Sequence, residues 1–293
     1  MTSSTRRTVL AATLLLPFVV RAREAAPSTA LARAVGELAK LEAKAGGRLG
    51  VAAYEAGKAP RVAHRADERF PMCSTFKTMA AGAVLKRSAT DAGLLTRRVT
   101  YAKSDLVTYS PITEKHVAEG MTVAELCAAA LQYSDNTAGN LLMQLVGGPQ
   151  GVTAFARSIG DEVFRLDRWE TALNTAIPGD ERDTTSPAAM ARSYERLLLG
   201  DALPPAQRMQ LRDWMLGNTT GASRIRAGVP PEWKVADKTG TGDYGTTNDA
   251  GIAWPAADRA LVMVIYFTQP SKGADAQSGV IAEAARLAAA ALA

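Results

Sequence analysis

The stretch FPMCSTFKTMAAGAVLKR, Phe70 to Arg87, places two nucleophilic side chains, Cys73 and Ser74, just ahead of a run with helical character. At the start of a helix, residues three apart share a face, so Lys77 can bring its amine beside the Ser74 hydroxyl. The helix N-terminus adds positive potential that favours a developing oxyanion. Lys77 is also four residues from Cys73, a spacing that a helix accommodates equally well. A cysteine nucleophile more often works with a histidine, and no Cys-His-Asn arrangement is evident nearby. Free cysteines are more often small buried apolar residues. Read by itself, the stretch leaves the choice between Ser74 and Cys73 open.

Working outward, the chain changes character twice. Ser28 is suited to cap a helix with Leu31, Val35, Leu38 and Leu41 on one face, ended by Gly46-Gly47. RLGVAAYE (Arg48 to Glu55) and RVAH (Arg61 to His64) read as two strands around a Gly-Lys-Ala-Pro turn. From Phe70 to Leu216 the pattern is mostly helical, with MTVAELCAAALQYS and NTAGNLLMQLVGG as apolar helices, the second closed by Gly147-Gly148. RLDRWETALNTAIPGDERDTT (Arg165 to Thr185) breaks the pattern. It is charged, carries Pro178-Gly179 and lacks a sustained period, as expected of a long ordered loop with a functional role. Helices resume over Pro187 to Leu199 and Pro205 to Leu216. WKVADKTGT, TNDAGIAW and ALVMVIYFT then read as strands, the first two joined by a hairpin at Gly242-Asp243-Tyr244-Gly245, and a final Ala-rich helix begins near Ala274. Strands at both ends with helices between them predict an α+β fold, a discontinuous α/β lobe around an inserted α lobe.

Two further elements bear on the chemistry. Ser134-Asp135-Asn136 falls in the break between two apolar helices, and Lys238-Thr239-Gly240 lies on a strand entering a hairpin. With Ser74-x-x-Lys77 they form the ordered set Ser-x-x-Lys, Ser-Asp-Asn, Lys-Thr-Gly of class A β-lactamases and penicillin-binding proteins. The set needs its serine three before the lysine, which selects Ser74 over Cys73. On these blocks, with FPMCSTFK, YSDN, LDRWETALN and DKTGTG, the chain resembles the class A serine β-lactamases from about residue 30 to 292.

The resemblance implies a five-stranded antiparallel sheet flanked by helices, an all-α lobe, and an active site between them. It divides the chain into an export signal (1–22), the α/β lobe (23–64 and 216–293) and the all-α lobe (65–215) with its long loop at 165–183. It implies that Ser74 attacks the β-lactam carbonyl to form an acyl-enzyme, with the backbone N–H groups of Ser74 and Thr241 as the oxyanion hole. Ser134 would relay a proton to the leaving nitrogen, with Lys77 and Lys238 holding a positive field around both hydroxyls. Asn136 would bind the substrate's side-chain amide, and Thr239, Gly240 and Thr241 would line the place of its carboxylate. Glu170, with Asn174 four residues on, would hold and activate the hydrolytic water. That Glu-x-x-x-Asn loop separates a β-lactamase from a DD-peptidase and from a non-hydrolytic penicillin sensor, both of which can share the first three elements. Either Lys77 or Glu170 can serve as the acylation base.

Some positions depart from the family pattern. Thr247 stands where many members carry an arginine, and Arg224 matches the alternative site for that guanidinium, suited to bidentate grip of a carboxylate. Tyr109 matches the aromatic that borders the cleft. The positions that pair with Cys73 and Cys127 in family disulfides are Gly242 and Ala81 here, so two free thiols are expected, and broad carbapenem hydrolysis is not.

Bulk properties exclude other classes. The 293 residues are 47% hydrophobic and 22% charged, an ordinary globular balance. Arg6-Arg7 followed by the apolar run Val9 to Val20 and the small-residue site at Val20-Arg21-Ala22 read as an export signal cleaved near Ala22, loosely twin-arginine-like and too short to span a membrane. Removing Arg6, Arg7 and Arg21 lowers the formal charge from +5 to +2, which gives no support for nucleic-acid binding. His64 and His116 show no ligand spacing, so no metal site is expected on them. The expectation is a periplasmic monomer acting on a small β-lactam, with no cofactor, no nucleic-acid partner and no membrane association after processing.

Overall fold

The computed structural model of the chain describes residues 1, 29–58 and 62–293; the expected export signal, beyond its first residue, and Ser28 lie outside the described residues. In chain order the elements are α1 (Thr29–Ala45), β1 (Arg48–Glu55), β2 (Val62–His64), β3 (Phe70–Pro71), α2 (Phe76–Ser88), β4 (Arg98–Val99), β5 (Met121–Thr122), α3 (Val123–Gln132), α4 (Asn136–Leu145), α5 (Gly148–Ser158), β6 (Thr184–Thr185), α6 (Pro187–Leu198), α7 (Pro205–Leu216), α8 (Ile225–Gly228), β7 (Lys234–Gly242), β8 (Thr246–Ala256), β9 (Arg259–Thr268) and α9 (Ser278–Leu292). The fold is α+β. Its main sheet has five antiparallel strands in the order β2-β1-β9-β8-β7, so strands from both ends of the sequence share one sheet.

β9 shows why this sheet is covered on both faces. Its alternating residues feed two cores: Met263, Ile265 and Phe267 pack with Leu38, Leu49, Ile281 and Ala284 under α1 and α9, while Val262, Val264 and Tyr266 pack toward Phe76, Leu142 and Tyr194 on the helical side. Period-2 alternation with both faces buried reads as the continuous apolar run ALVMVIYF. α6 lies across β1, β8 and β9 on the helical side. The segment between the sheet strands also carries two short antiparallel pairs, β3 with β6 and β4 with β5.

Boundaries differ from the sequence expectation in two places. The last helix starts at Ser278 rather than near Ala274. The intervening residues 270–277 carry Pro270 and Gly273 and form a turn closed by Gln269 Nε2 donating to the Asp275 carbonyl, so the helix begins where Val280 and Ile281 can be buried. Gly147-Gly148 does more than close α4. Gly147, at φ 94°, is the N-cap of α5, with Pro149 in its first turn. Cys73 and Cys127 are both free and buried. A Cβ on Gly242 would lie 2.7 Å from Cys73 Sγ, so position 242 does face that thiol.

Candidate active site

The nucleophile turn is a single 3-10 turn, Cys73–Thr75, leading directly into α2, with Cys73 in the left-handed region at φ 46°. This puts Ser74 at the helix entrance and Lys77 in the first turn. Lys77 Nζ lies 2.9 Å from Ser74 Oγ, donating to it. The same ammonium donates to Asn136 Oδ1 at 2.6 Å and to the Ser134 carbonyl at 2.8 Å, and it is 3.0 Å from Glu170 Oε1. The Ser74 hydroxyl in turn donates to Glu170 Oε1 at 3.2 Å. Both candidate bases therefore touch the Ser74 hydroxyl. Lys77 has no exposed side-chain surface; burial pushes its amine below the ordinary lysine range, opposed by the Glu170 carboxylate.

Ser134 sits at φ 59° in the sharp break before α4. Asp135 caps that helix through Ala138 N and draws in the 107–115 segment through Ile112 N, Thr113 N and the Thr113 hydroxyl. The break therefore has a structural reason: one buried carboxylate joins a helix start to a loop, turning Ser134 Oγ toward Lys238, whose Nζ donates to it at 3.0 Å. Burial, and then the charges of Lys77 and Arg224, push the Lys238 amine well below the ordinary range. Asn136 also donates to the Thr108 carbonyl at 2.8 Å, and its N–H donates to the carbonyl of Tyr109, whose side chain is exposed.

Glu170 is nearly buried and is held from three sides. Asn174 Nδ2 donates to Glu170 Oε2 at 2.6 Å. Asn140 clasps the Glu170 backbone, donating from Nδ2 to its carbonyl at 3.0 Å and accepting its N–H on Oδ1 at 2.9 Å. The loop is stapled at its base by Asp183, which accepts from the Asp167 and Arg168 N–H groups and from Arg168 Nε at 2.5 Å. Asn174 Oδ1 is buried without a partner among the described residues, an acceptor that a water proton can use.

β7 is the edge strand of the sheet, which leaves alternate N–H groups without a strand partner, as an oxyanion donor requires. Thr239 Oγ1 meets Thr220 Oγ1 at 2.5 Å. Arg224 does not present a free fork. Its NH1 donates to the carbonyls of Gly240 (2.8 Å) and Asn248 (2.6 Å), its Nε reaches Ser278 Oγ at 3.4 Å, and its NH2 donates to Thr241 Oγ1 at 2.8 Å. The bidentate arrangement expected from sequence gives way because two strand carbonyls take both NH1 protons. What faces outward is the Thr241 hydroxyl, with its oxygen on a cation and its own proton free to donate.

Hydrogen bonds thus join Ser74, Lys77, Ser134, Asn136, Glu170, Asn174 and Lys238 in one network, which runs on through the Thr239 carbonyl into β7, where Arg224 holds Gly240 and Thr241; Tyr109 meets it through its backbone carbonyl. Sequence reasoning missed Asn140, Thr220 and Asn248. Asn140 had a signal: it is four residues after Asn136 on one helix and shares its face. Thr220 and Asn248 had none, because their roles depend on packing between distant segments.

The sequence profile of the beta-lactamase enzyme family matches residues 31–292. The chain is 55% identical over 288 residues to beta-lactamase Toho-1 of Escherichia coli, covering 98% of each chain. It is 54% identical over 286 residues to beta-lactamase OXY-1 of Klebsiella oxytoca, covering 97% of each. A crystal structure of a beta-lactamase from Desulfarculus baarsii DSM 2075 superposes with a TM-score of 0.87 at 55% identity, covering 88% of this chain and 97% of that one. With the ordered motif set joined in one hydrogen-bonded network and matches over nearly its whole length, the chain belongs to the beta-lactamase enzyme family, as a class A serine member.

Proposed function

We propose that the protein hydrolyses the amide of penicillins and cephalosporins through a Ser74 acyl-enzyme cleared by a Glu170-activated water, and so confers β-lactam resistance. The observation that carries this reading is Glu170: one carboxylate oxygen reaches Ser74 Oγ and the other is oriented by Asn174. In acylation, the Lys77–Glu170 pair takes the Ser74 proton as Oγ attacks the carbonyl carbon, and the oxyanion forms against the N–H groups of Ser74 and Thr241. The C–N bond then breaks, with Ser134 passing a proton to the nitrogen while Lys238 steadies its oxygen. In deacylation Glu170 takes a proton from water, which attacks the ester and releases Ser74. Excess benzylpenicillin mixed with the mature protein at neutral pH tests the reading. Many turnovers per protein support it, whereas a burst of one that stops would make the chain a peptidase or a sensor.

Arg224 is proposed to act on the substrate carboxylate through the Thr241 hydroxyl and its remaining NH2 proton, beside Thr239 and Gly240. Arg224→Ala is expected to raise KM for penicillins about tenfold, the loss of one charge-assisted contact of roughly 1.4 kcal/mol. Unchanged steady-state KM would remove Arg224 from the binding site.

Lys238 gives a pH signature. Its ammonium is needed by the carboxylate and by Ser134, and its proton is lost as pH rises through a pKa depressed by burial. Activity is therefore present below that pKa and lost above it, and the alkaline limb of kcat/KM is expected below the ordinary lysine value of about 10.4. Lys238→Arg, which stays protonated, is expected to move that limb upward in a pH–rate profile.

The proposed setting is the periplasm, reached through the Arg6-Arg7 signal, with the mature chain a monomer free of membrane and nucleic acid. The proposed partition keeps 23–64 and 216–293 as the α/β lobe and 65–215 as the α lobe, with Tyr109 and Asn136 meeting the substrate's side chain at their junction.

A further inference from the structure

The turn that carries Ser74 rests directly on the strand that carries Thr241. A Cβ built on Gly240 would lie 2.7 Å from the Met72 carbonyl oxygen and 3.3 Å from the Cβ atoms of Cys73 and Asn248, so only glycine allows this approach. The two proposed oxyanion donors thus come from distant parts of the sequence, and catalysis needs both within roughly 2.7–3.1 Å of one oxygen. Something must fix their separation.

Asn248 lies on β8 opposite Gly240 and has no exposed surface. Its Nδ2 donates to the carbonyls of Pro71 at 2.8 Å and Met72 at 3.1 Å, the two carbonyls just before Cys73-Ser74. Its own backbone carbonyl accepts from Arg224 NH1, which also holds the Gly240 carbonyl. One guanidinium therefore ties β7 to β8, and one carboxamide ties β8 to the nucleophile turn. The Met72 carbonyl is further fixed by the Thr75 hydroxyl at 2.8 Å, which meets Tyr266 of β9 at 3.1 Å. Asn248 Oδ1, by contrast, is buried without a partner among the described residues. Leaving a buried acceptor unpaired is costly, and an apolar side chain of similar volume would avoid that cost. What the amide supplies is its donors.

We propose that Asn248 is a positioning residue for acyl transfer, its carboxamide setting the separation of the Ser74 and Thr241 N–H groups by clamping the nucleophile turn to β8. The inference rests on the Ser74 acyl-enzyme reading. Asn248 does not meet the substrate; it acts through the turn, and its loss is felt most where the oxyanion is fully formed.

Asn248→Leu and Asn248→Asp separate this from a role in folding. Leucine removes the donors, and aspartate keeps the shape but turns an oxygen toward both carbonyls. Quenched-flow acylation by benzylpenicillin is expected to slow about 10- to 100-fold in both variants, as a small misplacement of reacting groups does. The substrate dissociation constant is expected to stay within about threefold, because ground-state contacts are untouched. Affinity for phenylboronic acid, whose tetrahedral serine adduct places an oxygen in the hole, should fall in step with the acylation rate. The thermal midpoint of Asn248→Leu should be retained. Normal acylation in both variants, with hydrolysis by the unaltered chain, would overturn this inference alone. No hydrolysis by the unaltered chain would overturn the reading beneath it. Loss of folded protein in both variants, or weakened substrate binding that accounts for the whole loss, would also overturn it.

Discussion

Replacing Ser74 with alanine is expected to lower kcat for benzylpenicillin by about 10⁴- to 10⁶-fold, the range seen when a nucleophile that works as part of a unit is removed. Cys73→Ala is expected to keep most of the activity. A thiol is intrinsically the stronger nucleophile of the two, so it is the surroundings that favour the serine. Ser74 Oγ is held between the Lys77 ammonium and the Glu170 carboxylate. Cys73 is completely buried, with its Sγ against β7 at Gly242. Burial, and then the charge of Glu170, raise its thiol far above the ordinary cysteine range, which disfavours the thiolate that would attack. Losing the buried sulfur costs about 1 kcal/mol of stability, visible in a denaturant melt and not in kcat. Steady-state assays of the two variants decide the point; retained activity in Ser74→Ala would reverse the assignment.

Glu170→Gln is expected to separate the two half-reactions. The amide can still be oriented by Asn174, with Asn140 holding the backbone of residue 170, but it cannot take a proton from water. Without the Glu170 charge that opposes burial, Lys77 is favoured as the neutral amine, 2.9 Å from Ser74 Oγ, where it can take the serine proton, so acylation is expected to continue. Deacylation should slow by about 10²- to 10⁴-fold, the usual value of a positioned general base. Quenched-flow measurement should show a burst approaching one equivalent per protein followed by a slow steady state. Burst-free turnover at the unaltered rate would mean that another group activates the water.

Much of this site was legible because its chemistry is local in sequence. Ser74 and Lys77 are one helical turn apart, Glu170 and Asn174 share one short turn of a loop, and Lys238, Thr239 and Gly240 are consecutive on a strand. The fold was legible for a similar reason: β1 and β7 through β9 carry strand patterns whose observed bounds fall within a few residues of those expected. What escaped depends on contacts between distant segments. Nothing near Asn248 announces that its amide reaches the Pro71 and Met72 carbonyls. Nothing near Arg224 says that β-strand carbonyls take its NH1 protons, which is why a fork facing the substrate was expected and a cation behind Thr241 is found. The start of α9 was misplaced because alanine and aspartate at 274 and 275 suit a helix locally, whereas burial against the sheet begins only at Val280.

The proposed mechanism has one covalent intermediate, on Ser74, cleared by Glu170. Its most direct test is to mix the Glu170→Gln protein with benzylpenicillin, quench with acid, digest, and map the added mass by fragmentation. One penicilloyl group per protein, as an ester on Ser74, is the result predicted. An adduct on Cys73 or elsewhere, or no adduct while hydrolysis proceeds, would contradict it.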